Sequence, residues 1–98
     1  MKAIVCHRFG PVEQLEYIDI APNEPGAHEV RVRVHAAGAN FPDALKAEGL
    51  HQIKPPLPWV PGSESAGVVE AVGARVTQFA VGERVMAVSD ARGGGFAE

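Results

Sequence analysis

Val30-Arg31-Val32-Arg33-Val34-His35 alternates apolar and polar residues without a fault and runs on into Ala36-Ala37-Gly38-Ala39-Asn40. Successive side chains of an extended strand point to opposite faces. The stretch therefore predicts a half-buried β-strand over 30–35, with three valines on one face and Arg31, Arg33 and His35 on the other. Upstream, residues 2–6 form a short apolar run with β-branched Ile4 and Val5, closed by the turn signal Gly10-Pro11. Residues 15–20 carry Tyr17, Ile18 and Ile20 and stop before Pro22, with Pro25-Gly26 beyond. These read as two further strands separated by turns. Downstream, residues 66–72 up to Gly73, and 83–88 after the turn at Val81-Gly82, predict two more.

One helix interrupts this pattern. Asn40 can cap it, Pro42 suits a first turn, Ala44-Leu45-Lys46-Ala47-Glu48 favours its interior and Gly49 can close it. Pro55, Pro56, Pro58 and Pro61 surround Trp59 and rule out a helix or a central strand over 54–62, which reads as an extended loop. Arg92-Gly93-Gly94-Gly95 reads as another loop. No internal repeat or linker divides the chain, so 1–98 is expected to be one unit or part of one.

Composition narrows the class. At 98 residues the chain has room for one small domain. With 46% hydrophobic and 21% charged residues it can build a core, which excludes a disordered polymer. The 9 basic and 12 acidic residues alternate along the chain for a net charge of -3, so neither a nucleic-acid nor a polybasic membrane-binding signature is present. No apolar run approaches the roughly 20 residues that cross a bilayer, and no targeting segment is expected. A single cysteine, Cys6, permits no internal disulfide and no multi-thiolate zinc cage, which implies a reduced, cytoplasmic setting. The 11 glycines and 8 prolines fall as punctuation between short strands, and the expected class is mainly β.

Four segments in order resemble the N-terminal, GroES-like domain of the medium-chain dehydrogenase/reductase superfamily. They are the alternating strand running into Ala36-Ala37-Gly38-Ala39-Asn40; Pro61-Gly62-Ser63-Glu64-Ser65-Ala66-Gly67; Val72-Gly73 with Val76 and Gly82-Glu83-Arg84-Val85; and Gly94-Gly95-Phe96-Ala97-Glu98. The resemblance implies a partly open β-barrel with one short helix. Zinc-dependent members place a cysteine and a histidine ligand where this chain carries Asn40 and Ser63, and Glu64 alone cannot build a tetrahedral nitrogen and sulfur site. No metal is therefore expected. Asn40-Phe41-Pro42-Asp43-Ala44-Leu45 and Lys54-Pro55-Pro56-Leu57-Pro58 instead resemble the zinc-independent, zeta-crystallin-like quinone oxidoreductase branch.

That branch implies hydride transfer from NADPH to a quinone or similarly activated enone. The protein must then orient the rings, exclude water and donate hydrogen bonds where negative charge develops. By resemblance Asn40 faces the nicotinamide end and can hold the ribose or the substrate oxygen, while Asp43 fixes Asn40 or relays a proton. The same pair is also what a helix start demands, a cap plus an acid in the first turn. Ser63 and Glu64 line the cofactor end of the cleft, or form a polar turn into the next strand. Phe41 and Trp59 can stack on a quinone or pack as core aromatics. Lys46 can meet a phosphate or sit on a solvated face, and His51 can donate a proton or lie solvated in its loop. Cys6 and His7 are strand neighbours that point apart, so core packing of Cys6 is the expectation, and the two PxxP matches read as a rigid loop.

Nothing in the chain supplies the strand, glycine-rich turn and helix of a dinucleotide fold. The expectation is a GroES-like domain that stops before the Rossmann cofactor domain, is inactive alone, and acts when joined to that C-terminal partner. Residues 96–98 would begin a strand left with an unpaired edge, inviting self-association there or through an apolar face. Two alternatives stay open: a non-catalytic β module that binds a partner or assembles with itself, and a fragment of an enoyl-thioester reductase.

Overall fold

The computed structural model describes residues 1–89 and 93–98. Among these residues five strands and one α-helix follow in the order β1 (Lys2–Val5), β2 (Glu16–Asp19), β3 (Val30–Gly38), α1 (Phe41–Glu48), β4 (Glu64–Val72) and β5 (Arg84–Val88). β1 and β2 pair antiparallel, and β3, β4 and β5 form a second antiparallel sheet in that order. Each strand falls where the alternation and turn residues put it. β3 runs three residues further than the alternation suggests, to Gly38, and β4 starts at Glu64 rather than Ala66.

Two features depart from the sequence expectation. The first concerns β3. Its alternation is faultless, yet the register against β4 shifts twice, between Arg31 and Val32 and between Val34 and Ala36. In the first shift Arg31 and Val32 face Ala71 and Val69, which leaves Glu70 as the extra residue of β4. Glu70 Oε1 accepts from Arg31 Nε at 2.8 Å and its Oε2 lies 3.4 Å from Arg33 Nε, so the bulged carboxylate is held between both arginines of β3.

The second correction concerns residues 96–98, which do not leave an unpaired edge. Ile4 N–H donates to the Phe96 carbonyl at 2.8 Å, Glu98 N–H to the Lys2 carbonyl at 3.0 Å, and Val34 N–H to the Glu98 carbonyl at 3.0 Å. The segment thus lies between β1 and β3 and joins the two sheets into a partly open barrel. Its approach is set by residues 94–96. Gly95 N–H donates to the Gly62 carbonyl and Phe96 N–H to the Pro61 carbonyl, each at 3.0 Å. An added Cβ on Gly94 would run into the Pro61 backbone.

Apart from Trp59 the buried apolar residues are small. Cys6, Ala47 and Trp59 form one cluster with Leu15 against it, and Ala3, Val5 and Val69 are also buried. Cys6 and Trp59 exchange backbone hydrogen bonds of 2.7 and 2.9 Å, which pins the proline-rich loop to the end of β1. Burial pushes the Cys6 thiol above its ordinary range, so the protonated, apolar form is the one that packs. Trp59 takes the core role, whereas Phe41 is 76% exposed. Gly93, Gly94 and Gly95 lie outside regular elements as expected, and Arg92 of the expected loop lies outside the described residues.

Because backbone atoms, not a flexible side chain, meet the added Cβ, Gly94→Ala forces the 61–62 loop to move. The expected cost is about 2 kcal/mol, in the range for overpacking a close contact. A urea titration checks it by a lower midpoint at unchanged slope.

Candidate functional site

The candidate site grows from the end of the β3–β4 ladder. Gly38 closes β3 and faces Glu64, the first residue of β4. The chain leaving toward Asn40 and the chain arriving through Ser63 are therefore at the same end of the sheet. Asn40 is extended (φ -128°, ψ 158°), and α1 begins at the next residue. Here the sequence does what its residue types favour: an Asn before the helix, Pro42 in its first turn and Gly49 ending it in the left-handed region at φ 76°.

Asp43 is the only charged residue buried among those described, at 6% exposure. Its Oδ2 accepts from the Asn40 backbone N–H at 2.8 Å, while its own N–H donates to the Asn40 carbonyl at 3.0 Å. The carboxylate thus satisfies one donor at a helix start and fixes the backbone from which the Asn40 amide projects.

Five of the residues singled out from the sequence gather here: Asn40, Phe41, Asp43, Ser63 and Glu64. Lys46 and His51 lie further along. An eight-residue helix is about 12 Å long, and His51 stands beyond its far end, where Nδ1 accepts from Ile53 N–H at 3.0 Å. Lys46 is half-buried in the last turn, and its carbonyl accepts from Gly49 N–H at 3.1 Å. Lys54 Nζ, 2.7 Å from the Gly49 carbonyl, supplies the cation at that helix end.

Beside Glu64 opens a cleft of about 650 Å³ lined by Ala36, Ala37, Gly38, Ser65, Met86 and others. Its walls are mostly apolar, and among the described residues its one ionisable lining residue is Glu64. Sequence reasoning missed the alanines and Met86, because small residues near a strand end carry no chemical signature. Only the pairing of Ala66 with both Ala36 and Met86 brings them together. Among the described residues no group of three or more His, Cys, Asp or Glu side chains is placed to hold a metal ion. No helix of the described residues is long and apolar enough to cross a membrane.

This architecture, with a helix capped at Asn40 between β3 and the Pro61-Gly62-Ser63-Glu64 entry to β4, is that of a GroES-like domain. Residues 26–98 match the alcohol dehydrogenase GroES-like domain, and the chain belongs to that family. A quinone oxidoreductase of Pseudomonas aeruginosa is 52% identical over 84 residues, covering 86% of this chain and 26% of that protein. The crystal structure of a probable oxidoreductase from Mycobacterium abscessus superposes with a TM-score of 0.87 at 41% identity, covering all of this chain and 30% of the other. Escherichia coli quinone oxidoreductase complexed with NADPH superposes at 0.83 with 35% identity, covering 92% and 28%. These neighbours fit the zinc-independent quinone oxidoreductase branch of the medium-chain dehydrogenase/reductase superfamily. The chain spans about a quarter of the length of the curated relatives it matches.

NADPH itself needs a cradle for its pyrophosphate, and the residues described here do not form one. The N-terminus of α1 is their only α-helical anion site in principle, and the buried Asp43 carboxylate already occupies it. A second anion there would meet like charge.

Asp43→Ala strips the Asn40 N–H of its acceptor, and the expected loss is about 1 kcal/mol of stability. Asp43→Asn, which keeps an acceptor oxygen, is expected to lose less. Chemical denaturation of the two variants beside the parent chain distinguishes them, and equal stability of all three would rule out the capping role.

Proposed function

We propose that this chain is the substrate-side domain of a zinc-independent, NADPH-dependent quinone oxidoreductase, acting only when joined to a C-terminal cofactor domain. What supports this reading most is the apolar cleft that Glu64 lines at the end of the β3–β4 ladder, the same end at which the chain leaves toward Asn40 and arrives through Ser63, in a chain 52% identical over 84 residues to a quinone oxidoreductase. The substrate class is a quinone or similarly activated enone, whose conjugated carbonyl accepts charge without a Lewis acid. A cytoplasmic setting accords with the buried, protonated Cys6.

Within this reading each residue has a part. The Asn40 amide donates a hydrogen bond to the substrate oxygen, where charge develops, or holds the ribose. Asp43 is a positioning residue that acts through the Asn40 backbone. Ser63 and Glu64 line the cofactor end of the cleft, and the exposed Phe41 ring offers a stacking face for the quinone. Lys46, further along α1, and His51, beyond its far end, lie outside the cleft that Glu64 lines and are assigned to the outer rim of the larger cleft formed with the joined domain. The cofactor's pyrophosphate is held by the joined domain.

Fusing residues 1–98 to the remaining length of the Pseudomonas aeruginosa relative tests the proposal. The fusion is expected to oxidise NADPH in the presence of 1,4-naphthoquinone, and the 98-residue chain alone to show no turnover. Asn40→Ala in the fusion is expected to lower kcat about a hundredfold, as for loss of one preorganised donor. A folded fusion that binds NADPH yet ignores quinones overturns the reading. Faster turnover of enoyl thioesters than of quinones would shift the substrate class, and no turnover of either favours a binding module.

The chain alone is also expected to self-associate. The outer side of β5 is an unpaired edge among the described residues, and its Met86 and Val88 are each 89% exposed. Light scattering over a wide concentration range should show mass rising with concentration, and a constant monomer mass would refute it.

A further inference from the structure

β3 and β4 carry two bulges, and the fold explains only one. The extra residue of β4, Glu70, is held by Arg31 and Arg33. The extra residue of β3 is His35: Val34 faces Gly67 and Ala36 faces Ala66, so His35 faces nothing. A bulge re-aims the side chain that it carries. This one also constrains its partner strand, because an added Cβ on Gly67 would run into the Arg33 carbonyl oxygen.

His35 lines a groove of about 650 Å³ with Ala66, Gly67, Val68, Arg84 and Met86. The floor is apolar. Among the described residues its two ionisable lining residues, His35 and Arg84, are both basic, and no carboxylate lines it. Arg31 and Arg33 are paired with acids, whereas among the described residues neither the His35 nor the Arg84 side chain has a hydrogen bond or an ion pair. An unpaired guanidinium and an imidazole facing one apolar groove match a ligand with one acidic head and an apolar body.

We propose that the groove between the His35 bulge and β5 binds a small apolar anion, a carboxylate or sulfonate, its head between His35 and Arg84 and its body on Ala66, Gly67 and Met86. This site shares Ala66 and Met86 with the cleft beside Glu64 and extends away from it along the sheet. It stands whether or not the chain serves a quinone reductase, because its argument uses neither Asn40 nor a cofactor.

The test is a titration of the 15N-labelled 98-residue chain with 2-naphthoate at neutral pH, with the uncharged 2-naphthol as the control. Saturable shifts are expected at the amides of Gly67, Val68, Val85 and Met86, and added salt should weaken them. Arg84→Gln and His35→Gln are each expected to raise the naphthoate Kd about tenfold, the loss of one charge-assisted hydrogen bond in a groove open to water. Arg84→Lys, which keeps the charge, should restore most of the affinity. Both positions are exposed, and the amide spectrum itself reports that the variants stay folded. Shifts confined to other residues, equal naphthoate affinity in all variants, or an equal response to 2-naphthol would each overturn the proposal.

Discussion

Two backbone hydrogen bonds, from Gly95 and Phe96 to the carbonyls of Gly62 and Pro61, hold the rest of this structure in place. They are possible because Gly94 lacks a Cβ that would otherwise meet the Pro61 backbone. On one side they aim residues 96–98 into the gap between β1 and β3, where three further hydrogen bonds join the two sheets. On the other they set the position of Gly62, and with it the point from which Ser63 and Glu64 enter β4. The joining of the two sheets and the geometry of the cleft mouth therefore depend on the same contact.

A small apolar core accompanies this reliance on backbone pairing. Its fully buried residues are mostly alanine, valine and cysteine, with Trp59 the one large ring. Transfer of such side chains from water yields less than transfer of leucine or phenylalanine, so ladder and loop hydrogen bonds carry more of the specificity. Large apolar side chains lie instead on the surface, among them Phe41, Leu50 and Met86. Several of them border the cleft and the β5 edge, where a joined domain or a ligand would cover them.

The charged groups divide along similar lines. Glu70, Arg31 and Arg33 satisfy one another across a bulge, and Asp43 is consumed in starting α1. These are structural roles, even though Asp43 sits two residues after the exposed Phe41 and three after Asn40. His35 and Arg84 have no such role within the described fold. The contrast between the two bulges separates a carboxylate that serves folding from a histidine that is free to serve something else.

Much of this was legible in the sequence, for local reasons. The helix from Phe41 to Glu48 was, because capping, proline placement and a closing glycine act within a few residues of one another. The strands were, because side-chain alternation is a property of the strand itself. The order of four short motifs sufficed to indicate the GroES-like family and to bring Asn40, Asp43, Ser63 and Glu64 forward as candidates. The register was not legible. Neither bulge disturbs the alternation of β3, since a bulge is a matter of how two strands align, and nothing local told Phe41 from Trp59 as the core aromatic. Nor did the strand tendency of residues 96–98 reveal that they pair on both sides, because their partners lie more than 60 residues away in the chain. Local patterning thus determined the elements of this protein. Pairing between distant strands decided which side chains share a cleft, for the physical reason that register is a relation between two segments and is written in neither alone.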